Sequence, residues 1–478
     1  MPTTAPDRVA TPGGAVEGDG PAPHHRALTG LLRATRRQGL TTPTALVGWP
    51  GLEPSPCPVL RWAQSGAMAL TGWPGEKPLW PEGDVPARLE AALLLASSYG
   101  AEPGDGPAAD VGTLLTGRAA SRGWSRRGAT SVGGRCRLLQ AADGWVAVTL
   151  ARDADIELVP ALIAGTSEAS AGSARPAPVP TALDEHEAWD ALERHLRRRP
   201  AAAVVAWAQE LGIPAAPVPI RRPSPAAPWS VTALGAPRQP TPSGGARPAL
   251  GALVVDLSAM WAGPLCAHLL GRAGARVVKV EDAARPDGTR RGDPGLFEAL
   301  HRGHELVALD LSSPSGRDGL RTLLDRADVV IEGSRPRALG ALGFDPASFC
   351  AARPGRTWIS VTGYGRSGDR SNWVAFGDDA AVAGGLVARD GRGRPVFCAD
   401  AVADPITGLY AAVGALGSMA AGGGRLVDCA MAVAAAHANA GPGCPSDHTM
   451  ALVDGGWTVT HGPAAAACTV VAEPAERR

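Results

Sequence analysis

The chain has 478 residues, more than one ordinary hydrophobic core holds, so two or more folded regions are expected. Lysine plus arginine number 46 and aspartate plus glutamate also 46, a formal net charge of zero, which excludes an overall basic field of the kind that draws nucleic acid or anionic lipid. The eight cysteines, Cys57, Cys136, Cys266, Cys350, Cys398, Cys429, Cys444 and Cys468, show no CxxC pair and no metal-ligand spacing, so reduced cytoplasmic thiols and no metal site are expected.

In chain order, residues 1–25 are polar and rich in Gly and Pro; they read as disordered and not as a signal peptide. No apolar run is long enough to span a bilayer, so no membrane partner is expected. A first folded region extends to about residue 220. Residues 221–248, crowded with Pro, Ser and Gly, read as a linker. A second folded region covers 249–435, and Gly441-Pro442-Gly443-Cys444-Pro445 breaks the chain into a tail, 436–478, with no evident partner.

The second region opens as a βαβ unit. Leu253 to Leu257 is a strand, Trp261-Ala262-Gly263-Pro264 a turn that starts a helix, Gly274 its end, and Val277 to Glu281 a second strand. Such a parallel sheet places its ligand site at the carboxyl ends of its strands. Leu306 to Asp310 is a further buried-strand run. Ser313 and Pro314 then suit the cap and first turn of a helix whose stripe is Leu320, Leu323 and Leu324. Strands follow at Ala327 to Ile331 and Thr357 to Val361. The last runs into Gly363-Tyr364-Gly365-Arg366-Ser367-Gly368, which satisfies GxGxxG literally. Dinucleotide binding needs a helix directly after that fingerprint, and Asp369-Arg370-Ser371-Asn372 is loop material. A glycine-rich strand end that admits a ligand close to the backbone fits better. Asp404, before Pro405-Ile406-Thr407-Gly408-Leu409, stands at the start of an Ala- and Leu-rich helix, where spacing alone favours a capping aspartate.

The order of these pieces carries more than any one of them. VVDLSAMWAGPLCAHLLGRAGARVVKVE, LFEALHRGHELVALDLSSPSGRDGLRTLLDRADVVIEGSRPRALGALGFD, WISVTGYGRSG and VADPITGLYAAVGALGSMAAGGGRLVDCAMA, within 251–432, closely resemble the large domain of the class III CoA-transferases. That family includes carnitine, formyl and bile-acid CoA-transferases and α-methylacyl-CoA racemase. The resemblance implies an α/β protein with a parallel-sheet, Rossmann-like large domain and a smaller α+β domain. It also implies that Asp404 is a nucleophile that moves CoA between carboxylic acids, through an aspartyl acyl anhydride and an aspartyl-CoA thioester. CoA is then a substrate, with no permanently bound cofactor, and water must be kept out by a lid. By resemblance, CoA lies along Trp261-Ala262, Leu309-Asp310-Leu311, Gly333-Ser334-Arg335 and Thr362-Gly363-Tyr364-Gly365, with Arg335 placed to pair with a phosphate or to stand free in solvent.

The first region also resembles the family, in permuted order. Gly133-Gly134, ahead of Cys136 to Leu139 and Trp145 to Val148, looks like the lid loop and first strands of the small domain, and 188–218 like its closing helices. Expected divisions are therefore a degenerate large-domain-like segment at 26–110, a small α+β domain at 111–220, the linker, and the CoA-transferase large domain at 249–435. Asp84 echoes the nucleophile position but lacks the following Thr-Gly and reads as a helix cap. Fusion of two incomplete copies and true permutation both explain the order. A homodimer is implied by resemblance alone.

Departures from the pattern fall on CoA contacts. The family's NRGK is His301-Arg302-Gly303-His304, the Lys after LDL is Ser312, the Asn-Phe pair is Gly333-Ser334, and an expected Arg is Ala341. His301 and His304 read as surface positions, and Lys279 with Glu281 follows the family pattern or forms a solvated pair. Two alternatives stay open. A racemase on the same fold needs a second proton-transfer group, where this chain has Gly377-Asp378-Asp379 in place of a histidine. A non-catalytic acyl-CoA-binding subunit is the other. An NAD oxidoreductase lacks its glycine fingerprint.

Overall fold

A computed structural model describes residues 23–47, 57–102, 104, 106–168, 183–239, 247–441, 448–453, 456–461 and 468–471. Of residues 1–25, read as disordered, 1–22 lie outside these, and 23–25 instead begin the helix Pro23–Arg37.

Three strands come from the first half: β1 (Cys136–Gln140), β2 (Trp145–Thr149) and β3 (Ala215–Pro217), an antiparallel sheet in that order. Helices Val159–Glu168, Glu185–Leu196 and Ala201–Leu211 close over it. Val146, Val148, Leu162, Trp189, Leu192 and Val204 form a core of their own there.

The remaining strands are β4 (Ser230–Ala233), β5 (Leu253–Asp256), β6 (Arg276–Asp282), β7 (Glu305–Leu309), β8 (Val329–Glu332), β9 (Thr357–Thr362), the hairpin β10 (Val387–Arg389) and β11 (Pro395–Phe397), and β12 (Arg425–Ala430). After them come β13 (His448–Val453), β14 (Gly456–His461) and β15 (Cys468–Val471). Seven form one sheet in the order β4-β12-β9-β8-β5-β6-β7, parallel throughout except for β4. The chain winds outward from β5 through β6 to β7, returns to β8 on the other flank of β5, and continues through β9 to β12. This is the order of a doubly wound sheet, whose ligand crevice opens at the carboxyl ends of the two strands where the winding reverses. Here those ends are Asp256, on β5, and Glu332, on β8. The central strands β8 and β9 are buried along their whole length, as their Val- and Ile-rich runs require, whereas β7, expected to be a buried run, is an edge strand with Glu305, Leu306 and Ala308 exposed.

Two expectations are corrected here. The stretch read as a linker contributes β4, whose Ser230–Ala233 pairs antiparallel with β12 and closes the sheet edge. The tail is not without a partner: β13, β14 and β15 form a second antiparallel sheet, and Val459 of β14 joins the main core.

Helix Ala403–Ala420 is apolar on every side and is correspondingly buried. It packs against helix Ala262–Arg272 so closely that a Cβ at Gly408 would meet the carbonyl oxygen of Ala262 at 2.5 Å. Its other flank is covered from the first half of the chain: Leu60, Trp62, Leu89, Leu95 and Tyr99 share one core with Leu265, Leu409 and Tyr410. The N-terminal helices are thus part of the large sheet's own packing. Asp84 caps helix Val85–Ser98, accepting from the Ala87 amide, and pairs with the buried Arg61, as expected of a structural acid.

Candidate active site

The carboxyl end of β5 runs into Ser258-Ala259-Met260, and this turn is fixed from beneath. Lys279 on β6 is fully buried; it donates to the Ser258 carbonyl and stands 3.3 Å from Asp287 and 3.8 Å from Asp256. Asp287 in turn accepts the Met260 amide at 3.1 Å, and Met260 takes a left-handed φ of 72°. Glu281 is also buried, paired with Arg290 at 2.6 Å. The reading of Lys279 and Glu281 as a solvated pair is therefore wrong: a charge at a strand end is forced inward where it braces a loop.

A second strained segment lies opposite. Ala399 and Ala401, at φ 54° and 42°, precede Asp404; with Met260 they are the non-glycine residues of positive φ among the described residues. Met260 lines the cavity that holds Asp404, and Ala399 and Ala401 lie in the turn that leads into Asp404. Backbone held in sparsely populated regions persists where the surroundings over-determine it, and such residues cluster at functional sites.

Beside Met260 is a cavity of 250 Å³, lined by Ser258 to Met260, Ala262 and Gly263, Gly333 to Arg335, Val361 to Gly363, Ser371, residues 373–376, Asp404 and Met431. It occupies the crevice where the sheet's winding reverses. Asp404 does not cap its helix: the helix begins at Ala403, the cap position is Val402, and the carboxylate turns away to accept the Gly377 amide. A Cβ at residue 377 would lie 2.3 Å from Asp404 Oδ2 and 2.3 Å from the Ala401 carbonyl oxygen, so only glycine lets that amide approach.

Asp404 belongs to a cluster of acids. Burial, with Asp378 and Asp400, pushes its carboxyl up to about 7 against the opposing Arg118 and the Gly377 amide. Asp378 is pushed up to about 6 by burial and by Asp400, against Arg118, the Ala401 amide at 3.0 Å and Ser131. Asp400, also raised by burial, forms two hydrogen bonds of 2.7 Å with Arg118. Asp379, raised to about 7 by burial, accepts from Thr149 at 2.9 Å and from the Phe376 amide at 3.0 Å. Arg118 also lines a second cavity, of 450 Å³, with Trp261, His268, Arg272, Asp293 and Arg302.

The residues expected at the site divide. Ala262, Gly333, Ser334, Arg335, Thr362 and Gly363 line the cavity with Asp404. Trp261 lines the second cavity instead. Leu309, Asp310 and Leu311 end the edge strand β7 outside both cavities, where Asp310 turns back on Ser312. Tyr364 is turned inward, its ring 5.3 Å from that of Trp373, and Gly365 sits against Asp428, so neither lines the cavity. Gly133 and Gly134 stand beside Arg118, Trp124 and Arg127 and line neither cavity. The glycine run is followed by loop, as expected, and is pinned by Arg366 to Glu332 at 2.5 Å and by its own amide to Asp428 at 2.7 Å. Arg335 is exposed at the cavity rim, facing Gly212.

His301 and His304 are not surface residues. His301 is buried and His304 half-buried, their Nδ1 atoms 3.3 Å apart; burial and Lys279 push both down to about 4, so both are neutral near pH 7. Arg118, Asp400 and Asp378 went unread as a group, because no local pattern links positions 282 apart in the chain.

Residues 250–445 match the family model described as CoA-transferase family III, and this segment belongs to that family. The succinate–glutarate CoA-transferase of Agrobacterium fabrum is 30% identical over 203 residues, covering 38% of this chain and 51% of that protein. The beta subunit of the succinyl-CoA–L-malate CoA-transferase of Chloroflexus aurantiacus is 33% identical over 198 residues, 38% of this chain and 49% of that subunit. A CAIB/BAIF family protein from Brucella suis, known from a crystal structure, aligns at 25% identity with a TM-score of 0.40, over 45% of this chain and 66% of that one. The chain spans about half the length of the curated relatives it matches. Among the described residues no helix is long and apolar enough to cross a membrane.

Proposed function

We propose that the protein transfers CoA between carboxylic acids through Asp404. The observation that carries this reading is the placement of that carboxylate: it opens into the cavity at the sheet's crevice, with a pKa of about 7 from burial and an amide donor fixed at Gly377. A carboxylate raised to that range is more basic than an ordinary aspartate and still half ionised at neutral pH.

The chemistry runs as two exchanges. Asp404 attacks the thioester carbonyl of the donor acyl-CoA, forming a mixed anhydride and releasing the CoA thiolate. The thiolate attacks the aspartyl carbonyl, giving an aspartyl-CoA thioester and the free donor acid. The acceptor carboxylate then displaces CoA to form a second anhydride, and the thiolate attacks its acyl carbonyl, leaving acceptor acyl-CoA and Asp404 as it began. Arg335, exposed at the rim, is the cation placed for a CoA phosphate. The glycine-lined walls at Gly333 and Gly363 leave room for the thioester.

The two curated relatives bear names of dicarboxylate exchange. In this chain the second cavity, with Arg272 and Arg302, supplies the cationic lining that suits an acid carrying a second carboxylate. Trapping tests the reading: after incubation with succinyl-CoA, hydroxylamine or borohydride should modify Asp404, located by peptide mass spectrometry. Turnover with no modification there would refute it. A second reading, acyl-CoA racemisation, draws on Asp378, a second raised carboxylate facing Asp404. It predicts exchange of an α-deuterium with no acceptor acid present.

A further inference from the structure

Three side chains from the first half of the chain reach the acid cluster of the second. Ser131, just ahead of the Gly133-Gly134 loop, hydrogen-bonds Asp378, and Thr149 at the end of β2 donates to Asp379. Arg118, from helix Val111–Arg122, goes furthest. Its Nε and Nη2 each lie 2.7 Å from an oxygen of Asp400, and its guanidinium faces both Asp378 and Asp404. The rings of Trp261 and Trp124 hold it, at 5.0 and 5.3 Å from their centroids.

We propose that Arg118 is a positioning residue of the active site: it engages Asp400 and balances the charge of the acid cluster, leaving Asp404 as the carboxylate able to react in the cavity. The inference rests on the reading of Asp404 as nucleophile and adds the first half of the chain to the working site. Three carboxylates face one another here, Asp378 from helix Gly377–Ala383, Asp400 from the turn before Asp404, and Asp404 itself. Arg118 is the cation that bears on all three, and Asp293, at the head of helix Pro294–His301, adds a further negative charge facing Asp400. Asp400 takes both donors of Arg118, and Asp378 is held by the Ala401 amide and Ser131. Asp404 alone of the three lines the cavity. Remove the guanidinium, and like charges in a buried site force a proton onto one of them. A purely structural pair would instead tie the helix to the sheet and leave the titration of Asp404 where it was.

The test reads the proton directly. A diazo ester alkylates protonated carboxyls, so the pH dependence of labelling at Asp404, followed by peptide mass spectrometry on the full chain, gives its titration without any acyl-CoA. In Arg118→Met the midpoint should move to higher pH by about one unit. In Asp400→Asn, which removes a negative neighbour and frees the guanidinium, it should move to lower pH, and Arg118→Lys should restore much of the wild-type value. Midpoints unchanged, or displaced in the same direction by Arg118→Met and Asp400→Asn, would overturn the proposal. If Arg118→Met does not fold, an Asp400→Asn midpoint that fails to fall does so alone. Opposed shifts together with no acyl trapping at Asp404 would remove the nucleophile reading and leave the charge assignment standing.

Discussion

The amide of Gly377 is hydrogen-bonded to the carboxylate of Asp404, and the two residues are so close that a β-carbon at 377 would lie 2.3 Å from Oδ2. The hydrogen bond orients the proposed nucleophile, while Ala399 and Ala401, in left-handed conformations, set the approach of the chain to it. Replacing Gly377 by Ala should push Asp404 aside without exposing new surface. Transfer is expected to fall by about 10²-fold, the usual cost of an ångström-scale misplacement. Circular dichroism should remain that of the wild type, and a variant of undiminished turnover would count against the arrangement.

The reactive form of Asp404 is the carboxylate, and burial places its pKa at about 7. The rate of transfer should therefore rise with pH through that value and fall about tenfold per unit on the acid side. An ordinary exposed aspartate would give a limb near pH 4 instead. A kcat/KM profile between pH 5 and 9 distinguishes the two.

The same burial makes stability depend on pH in an unusual direction. Asp379 and Asp404 reach about 7 in the folded chain, against an ordinary value of 3.8, and Asp378 reaches about 6. Between those values the native state holds more protons than the unfolded chain, so stability declines as pH rises from about 4 to about 7. Asp379→Asn keeps an oxygen that can accept from Thr149 and removes the charge. It should raise the melting temperature at pH 8 and leave it nearly unchanged at pH 4, as scanning calorimetry at the two pH values would show.

Lys279 is expected to be the costliest surface-typical residue to lose. Its removal leaves Asp256 and Asp287 buried without their cation and the Ser258 carbonyl without its donor. Lys279→Ala should cost about 3–5 kcal/mol, the range for breaking a buried ion pair from one side. Denaturant unfolding measures it, and a loss below 1 kcal/mol would mean that the lysine braces nothing.

Much of the sheet was legible in the sequence because its strands are short Val- and Ile-rich runs buried on both faces, and such runs carry their own signal. β4 was not, since Ser230–Ala233 is a partly exposed edge strand set among prolines and glycines, and its partner β12 lies far along the chain. Asp404 was found by resemblance, while its local context suggested a cap; the strained backbone at Ala399 and Ala401 that turns it away from that role has no sequence signature. Lys279, His301 and Arg118 were misjudged or missed for one reason. Their burial is set by long-range packing, and the residue types alone point to solvent.

The most direct test of the central claim follows an oxygen atom. When an acceptor acid labelled with ¹⁸O on its carboxylate is turned over with unlabelled succinyl-CoA, the anhydride route leaves one acceptor oxygen on the side chain that formed it. After a single turnover the peptide containing Asp404 should gain about 2 Da, the mass difference of one ¹⁸O, with the label on that carboxyl. Turnover that leaves Asp404 unlabelled, or that places the label on another residue, would contradict the account.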